Sequence, residues 1–257
     1  SFWNGITTVE NIPSQQTATF SDDFTGTDDW TDSDSAIIGV NTTTDVIDFT
    51  KASTDLDEVT YKTITALGTD ASFVYRQIMT IDSYTQDQSN ASSLRLVVGL
   101  SSSNDVTVES NKDEVGITWR LSNDATANWF YAYVTDGTTF PFNESVSNAT
   151  NFTGITPTAG VSYYMEIVGN GGTYTFKIFS DPDYTQLMGT SVPVVITDAG
   201  ITGLDNMTVR VISLNSHTQV FDGTVKDIQL WDGITEVNPT TLTDYPLPIV
   251  ITGDADL

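Results

Sequence analysis

The chain has 257 residues, 39% hydrophobic and 11% aromatic, which is enough for a packed core and argues against disorder. Its 34 acidic residues outnumber nine basic ones, and the formal charge of −25 excludes nonspecific binding to nucleic acid or insertion into an anionic membrane surface. It has no cysteine, which removes disulfides, thiol catalysis and Cys-ligated zinc, and no run approaches the roughly 20 apolar residues of a membrane helix.

Residues 1–16, interrupted by Pro13, read as an N-terminal arm. The opening SFWNGITTVE has neither a basic nor an apolar leader region, so any signal peptide is expected to be already removed. From Thr17 to Ala36 a short strand carrying Phe20 and Phe24 runs into a turn crowded with Asp22, Asp23, Asp28, Asp29, Asp32 and Asp34 around Trp30. Short strands follow at Ile37–Val40, Val46–Phe49 and Glu58–Thr65, then Phe73–Ile81 with Phe73, Tyr75, Met79 and Ile81 on one face and Arg76 on the other. Leu94–Leu100 sets four aliphatic residues against Arg95 and Gly99, and Val115–Leu121 opposes Ile117 and Trp119 to Thr118 and Arg120. In Trp129–Val134 the core set is Phe130, Ala132 and Val134, which leaves Trp129, Tyr131 and Tyr133 on the opposite face.

A long loop leads to Tyr163–Val168 and Tyr174–Phe179, a hairpin turned by GNGG. SDPDYTQLMG reads as a helical turn or an irregular corner, and Val192–Ile196 and Met207–Ile212 are strands. In the closing strand, Val220–Trp231, residues Val225, Asp227, Gln229 and Trp231 alternate with Lys226, Ile228 and Leu230. This last strand is expected to pair with the first, since strands at the two ends of a domain often close a sheet. More than ten short strands without an amphipathic helix predict an all-β chain. Its architecture is a two-sheet antiparallel β-sandwich over residues 17–233, with extended arms at 1–16 and 234–257.

The stretches FSDDFTGTDDW, LRLVVGLS, YYMEIVGNGGTYTFKIFSDPDYT and VKDIQLWDG resemble the concanavalin A-like lectin/glucanase superfamily, in its laminin-G-like branch. The resemblance is to a pattern of strands and turns over Thr17–Gly233, and it implies a jelly roll whose concave sheet hosts sugars or substrates. It also implies a structural calcium ion near the terminal strands, which would fall on Asp22 or Asp23 and Asp227. An acidic turn beside a paired strand with its own Asp is chemically suited to that ion.

No strand carries the alternating Glu and Asp of a glucanase or the Gln and His of a lyase, and the only histidine, His217, lies in the loop SLNSHTQ. The sequence reading is therefore of a protein that is not an enzyme. For sugar binding the candidates are Trp129, Tyr131 and Tyr133, whose faces stack on sugar C–H surfaces, with Arg76, Arg95 and Arg120 as forks for carboxylate or sulfate. The structural alternative is that these residues pack under loops or against another copy. Asn41, Asn90, Asn143, Asn148, Asn151 and Asn206 each open an N-x-S/T triplet, which points to an extracellular or surface-displayed protein. Pro239, Pro246 and Pro248 hold the C-terminal arm extended, and Ile249–Thr252 is suited to add a strand to a sheet edge. The leading expectation is a self-assembling structural subunit whose partners are its own copies. The second is a carbohydrate-binding or adhesion module.

Overall fold

The structure, a computed structural model, describes residues 16–25, 29–52, 57–68, 71–85, 93–105, 112–122, 128–137, 149–190, 193–214 and 220–237. Among these there is no helix, and fifteen strands form two antiparallel sheets. The strands are β1 (Phe20–Asp22), β2 (Thr31–Asp32), β3 (Ile38–Asn41), β4 (Val46–Ala52), β5 (Glu58–Leu67), β6 (Phe73–Thr85), β7 (Ser93–Ser101) and β8 (Asp113–Ser122). The rest are β9 (Asn128–Asp136), β10 (Ala149–Asn151), β11 (Val161–Asn170), β12 (Thr173–Phe179), β13 (Val194–Thr197), β14 (Leu204–Leu214) and β15 (Val220–Asp232). One sheet runs β13-β12-β11-β6-β15-β4-β3 with β1 added beside β15, and the other runs β10-β9-β8-β7-β14-β5-β2.

Alternation decides which side chains enter the core between the sheets. On β7 these are Leu94, Leu96, Val98 and Leu100, on β8 Val115, Ile117 and Trp119, and on β9 Phe130, Ala132 and Val134. They meet Tyr163, Met165 and Ile167 of β11 and Phe221 and Val225 of β15. Aromatic pairs join the two layers: Phe130 lies 4.8 Å from Tyr163 and Trp119 lies 5.0 Å from Phe221, both tilted toward edge-on contact. The β11–β12 hairpin turns through Gly171 and Gly172, both at positive φ (56° and 76°), which the favoured two-residue hairpin turn requires.

The chain ends pair as expected, with Phe20, Ser21 and Asp22 opposite Leu230, Gln229 and Ile228. The simple alternation along β15 does not hold. The ladder with β6 shifts register between Lys226 and Gln229, and Asp227 takes a φ of 51°. That bulge inserts a residue and resets the faces, so Val225, Ile228 and Leu230 enter the core while Trp231 turns outward.

Outside this sheet, residues just before the first strand and just after the last pack back on it. Ala18, Ile234 and Val237 pack on Val74, Val168 and Trp231, and Trp231 Nε1 donates to the Gln16 carbonyl at 3.0 Å. The segment from Asp181 is an irregular corner, held by the Asp181 carboxylate accepting from the backbone N–H groups of Thr185 and Gln186. The strand-adding run Ile249–Thr252 lies outside the described residues.

Candidate functional site

The outward face of the seven-stranded sheet is set out by cross-strand register. In one row Trp129, Arg120, Arg95 and Ile212 stand side by side, and in the next Tyr131, Thr118, Val97 and Arg210. The third row is Tyr133, Gly116, Gly99 and Thr208, and the fourth is Thr135, Glu114, Ser101 and Asn206. Val97, Tyr131, Tyr133 and Ile212 form a second apolar cluster here, with Trp129 packed against it.

Two adjacent glycines open the middle of this face. A Cβ on Gly116 would sit 2.7 Å from the Tyr133 ring, so the ring lies across that glycine. The space lets Arg210 of β14 reach Glu114 of β8, two strands away, through an Nη2 contact to Oε1. Glu114 Oε1 also accepts from Ser101 at 3.0 Å and faces Lys112 Nζ at 3.7 Å. Burial, and then the Arg210 charge, push the Lys112 ammonium down to about 8, against the pull of Glu114 and Asp105. Burial, reinforced by Glu114, holds the Tyr133 hydroxyl well above its ordinary range.

Higher on the face, Arg95 Nη1 donates to the Tyr131 hydroxyl at 2.8 Å, and Arg120 lies 5.7 Å from the Trp129 ring centroid. Arg95 and Arg210 are buried, 2% and 1% exposed, whereas Arg120 and Trp129 are only partly buried and form the accessible rim. Arg210 lies beside Tyr133, yet its Nε and Nη1, like Glu114 Oε2, have no hydrogen-bond partner among the described residues.

Of the six residues expected to bind sugar, five share this face: Arg95, Arg120, Trp129, Tyr131 and Tyr133. Arg76 does not, and its grouping with them is corrected. It lies on the outward face of the other sheet, opposite Glu166 and Gln229, because β6 pairs with β11 and β15. There its Nε donates to Glu166 at 2.7 Å, its Nη2 to the Val237 carbonyl at 3.3 Å, and its guanidinium lies 4.2 Å from the Tyr184 ring centroid. Lys112, Glu114 and Arg210 went unassigned. Arg210 had a sequence signal, a basic residue in mid-strand opposite apolar neighbours, but Glu114 sits at the end of an acidic stretch that reads as loop.

The calcium site on Asp22, Asp23 and Asp227 is also corrected. Asp22 accepts from Phe24 N at 2.7 Å and Trp30 Nε1 at 2.8 Å, so both its oxygens brace the turn. Asp23 accepts from the Thr25 N–H and hydroxyl, which hold its carboxyl below the usual range. Among the described residues no three His, Asp or Glu side chains gather closely enough to hold a metal ion. The residues therefore do not fit the ion that the resemblance implied.

The sequons are placed unequally. Asn206 is buried and bonded to Thr63, whereas Asn41 is partly buried and donates through Nδ2 to Asp48 at 2.6 Å. Asn151 is exposed on β10, while Asn90, Asn143, Asn148 and His217 lie outside the described residues.

No family model matches the sequence, and no curated protein matches it. Solved structures do. The exoplasmic/lumenal domain of VIP36 in its Ca2+/Man3GlcNAc-bound form is similar with a TM-score of 0.51 at 12% identity, covering 85% of this chain and 90% of that one. Its Ca2+-bound form gives 0.50 at 11%, covering 84% and 91%. The Bacillus licheniformis β-glucanase gives 0.51 at 9%, covering 84% of this chain and 99% of that one. At these identities the likeness is one of fold, and the fold is that of the concanavalin A-like jelly rolls. The expectation that the chain is not an enzyme is overturned by the same finding: a glucanase shares the fold as fully as a glycan-bound domain does, so the architecture gives no ground for excluding catalysis.

Proposed function

We propose that the outward face of the seven-stranded sheet is a glycan-recognition site of an extracellular or surface-displayed protein. The observation that carries this reading is the rim: a partly buried Trp129 stacked beside Arg120, with Arg95 directly opposite across the strand. An aromatic face fixed by a neighbouring guanidinium offers a sugar both a C–H stacking surface and hydrogen-bond donors. The likeness to a domain solved with bound mannose-containing glycan supports it at the level of fold. No observation among the described residues favours self-assembly, since Ala18, Ile234 and Val237 pack on their own domain.

The test is a glycan array followed by titration calorimetry, with released reducing ends measured on every binder so that turnover is scored alongside affinity. Trp129→Ala should weaken the ligand by about tenfold or more, the loss of roughly 1.4 kcal/mol of contact. Undiminished binding by that variant would refute the assignment of the site to this face.

A further inference from the structure

The outward face of the eight-stranded sheet carries one continuous cross-strand row: Trp231 of β15, Val74 of β6, Val168 of β11, Thr175 of β12 and Val195 of β13. The chain covers this row from one end. After β15 the backbone doubles back, with Gly233 N donating to the Ser72 carbonyl at 2.7 Å, and Ile234 and Val237 pack on the cluster of Trp231, Val74 and Val168. Those three are buried, whereas Val195 at the far end of the row is 56% exposed. No described strand borders β13 on its outer side. Asp198 N donates to the Gly172 carbonyl of β12's own turn, so the two-residue period points the N–H and C=O of Val195 and Thr197 away from β12. Leu187 bridges Phe179 farther along this edge, so two of the three exposed large apolar residues among those described lie on it. A strand edge with exposed apolar side chains and unpaired backbone groups is a template for a further strand.

We propose that the run Ile249–Thr252, beyond the described residues, adds a strand to the outer edge of β13 in its own chain, with an apolar side chain of the run against Val195. The start of the path is on the sheet: from β15 the chain moves over β6, where the Val237 carbonyl accepts from Arg76, in the direction of β11, β12 and β13. A strand outside β13 lies four strand spacings from β6, ~19 Å. Residues 238–248 extend to ~36 Å, enough for the crossing and a turn. Pro239, Pro246 and Pro248 hold that connection extended, and Ile249, Val250 and Ile251 are uncharged and β-branched, as an edge partner requires. A segment tethered beside its edge outcompetes the same segment of another copy, because its effective concentration is roughly millimolar.

The chain has no cysteine, so a pair of introduced thiols reports proximity without background. Val195→Cys is combined in turn with Ile249→Cys, Val250→Cys and Ile251→Cys in the full chain. The control pairs Val250→Cys with Thr44→Cys, since Thr44 is exposed in the β3–β4 turn at the opposite edge of the sheet. At least one Val195 pair should close an intramolecular disulfide about tenfold faster than the control. A second full-length variant, Ile249→Asp with Ile251→Asp, should speed hydrogen exchange at the Val195 and Thr197 amides by about tenfold and leave the amides of β7 and β14 unchanged. Oxidation no faster than in the control, or unaltered exchange in β13, would overturn the added strand. A disulfide that joins two chains and is lost on dilution would assign the edge to a second copy, and so overturn the assignment to the chain's own tail.

Discussion

The two outward faces of the sandwich use the same residue types to opposite ends. On the eight-stranded sheet, Arg76 is enclosed between Tyr184 and Trp231, and its Glu166 partner also accepts from Lys177 at 2.8 Å. The Val237 carbonyl takes a further Arg76 donor, so two cations, one carboxylate and one backbone group satisfy one another beside the packed Ile234 and Val237. On the seven-stranded sheet, Arg210 and Lys112 share the Glu114 carboxylate, while Arg210 Nε and Nη1 and Glu114 Oε2 stay unmatched among the described residues, and Trp129 and Arg120 are only partly buried. A fully satisfied network holds the fold together, whereas one with unmatched buried polar atoms costs stability.

The largest effect should come from breaking the closed face. Arg76→Ala leaves Glu166 buried with Lys177 alone, and should cost about 3–5 kcal/mol, as removal of one partner from a buried pair does. A chain of this size would then melt about 10 °C lower by calorimetry, with glycan binding by the folded protein unchanged. Equal loss of binding would mean that the two faces are not independent.

Replacing the central pair of the open face should act in the other direction. In Glu114→Leu combined with Arg210→Met, stability measured by urea unfolding should be retained or rise by about 1–4 kcal/mol, because apolar side chains of similar volume end the desolvation cost. A stability loss as large as that of Arg76→Ala would show that Glu114 and Arg210 are structural and erase the contrast between the faces.

Raising the pH tests the buried Lys112 ammonium beside Glu114 and Arg210. The folded Lys112 titrates at about 8, against an unfolded value of 10.5, so the cost of burying its charge is fully present below pH 8. Between those two values the unfolded chain binds the extra proton, and stability relative to Lys112→Met should rise with pH. Parallel melting titrations of the parent and Lys112→Met check the sign.

The smallest effect concerns the acidic turn. Asp22→Ala removes the acceptor of Phe24 N and Trp30 Nε1 and should cost about 1–2 kcal/mol, while a chelator should leave the melting temperature unchanged. A clear fall with chelator would point to an ion held by residues other than this turn.

Which residues are core and which face outward is legible along each strand by itself, because a pleated backbone alternates its side chains. The run Leu94, Leu96, Val98 and Leu100 and the set Trp129, Tyr131 and Tyr133 both read correctly, and with them the jelly-roll class. Sheet membership is not legible in the same way. Arg76 and Arg95 sit in strands of the same apparent pattern, yet β6 pairs with β11 and β15 while β7 pairs with β8 and β14. Alternation is a property of one strand, whereas hydrogen-bond partners are chosen among segments far away in the chain, as Arg210 and Glu114, 96 residues apart, are. The bulge at Asp227 depends likewise on its ladder with β6, which no local period reveals. Glu114 becomes a strand residue only because β8 extends its pairing with β7 as far as Ser101, two strands from the arginine it meets over the paired glycines.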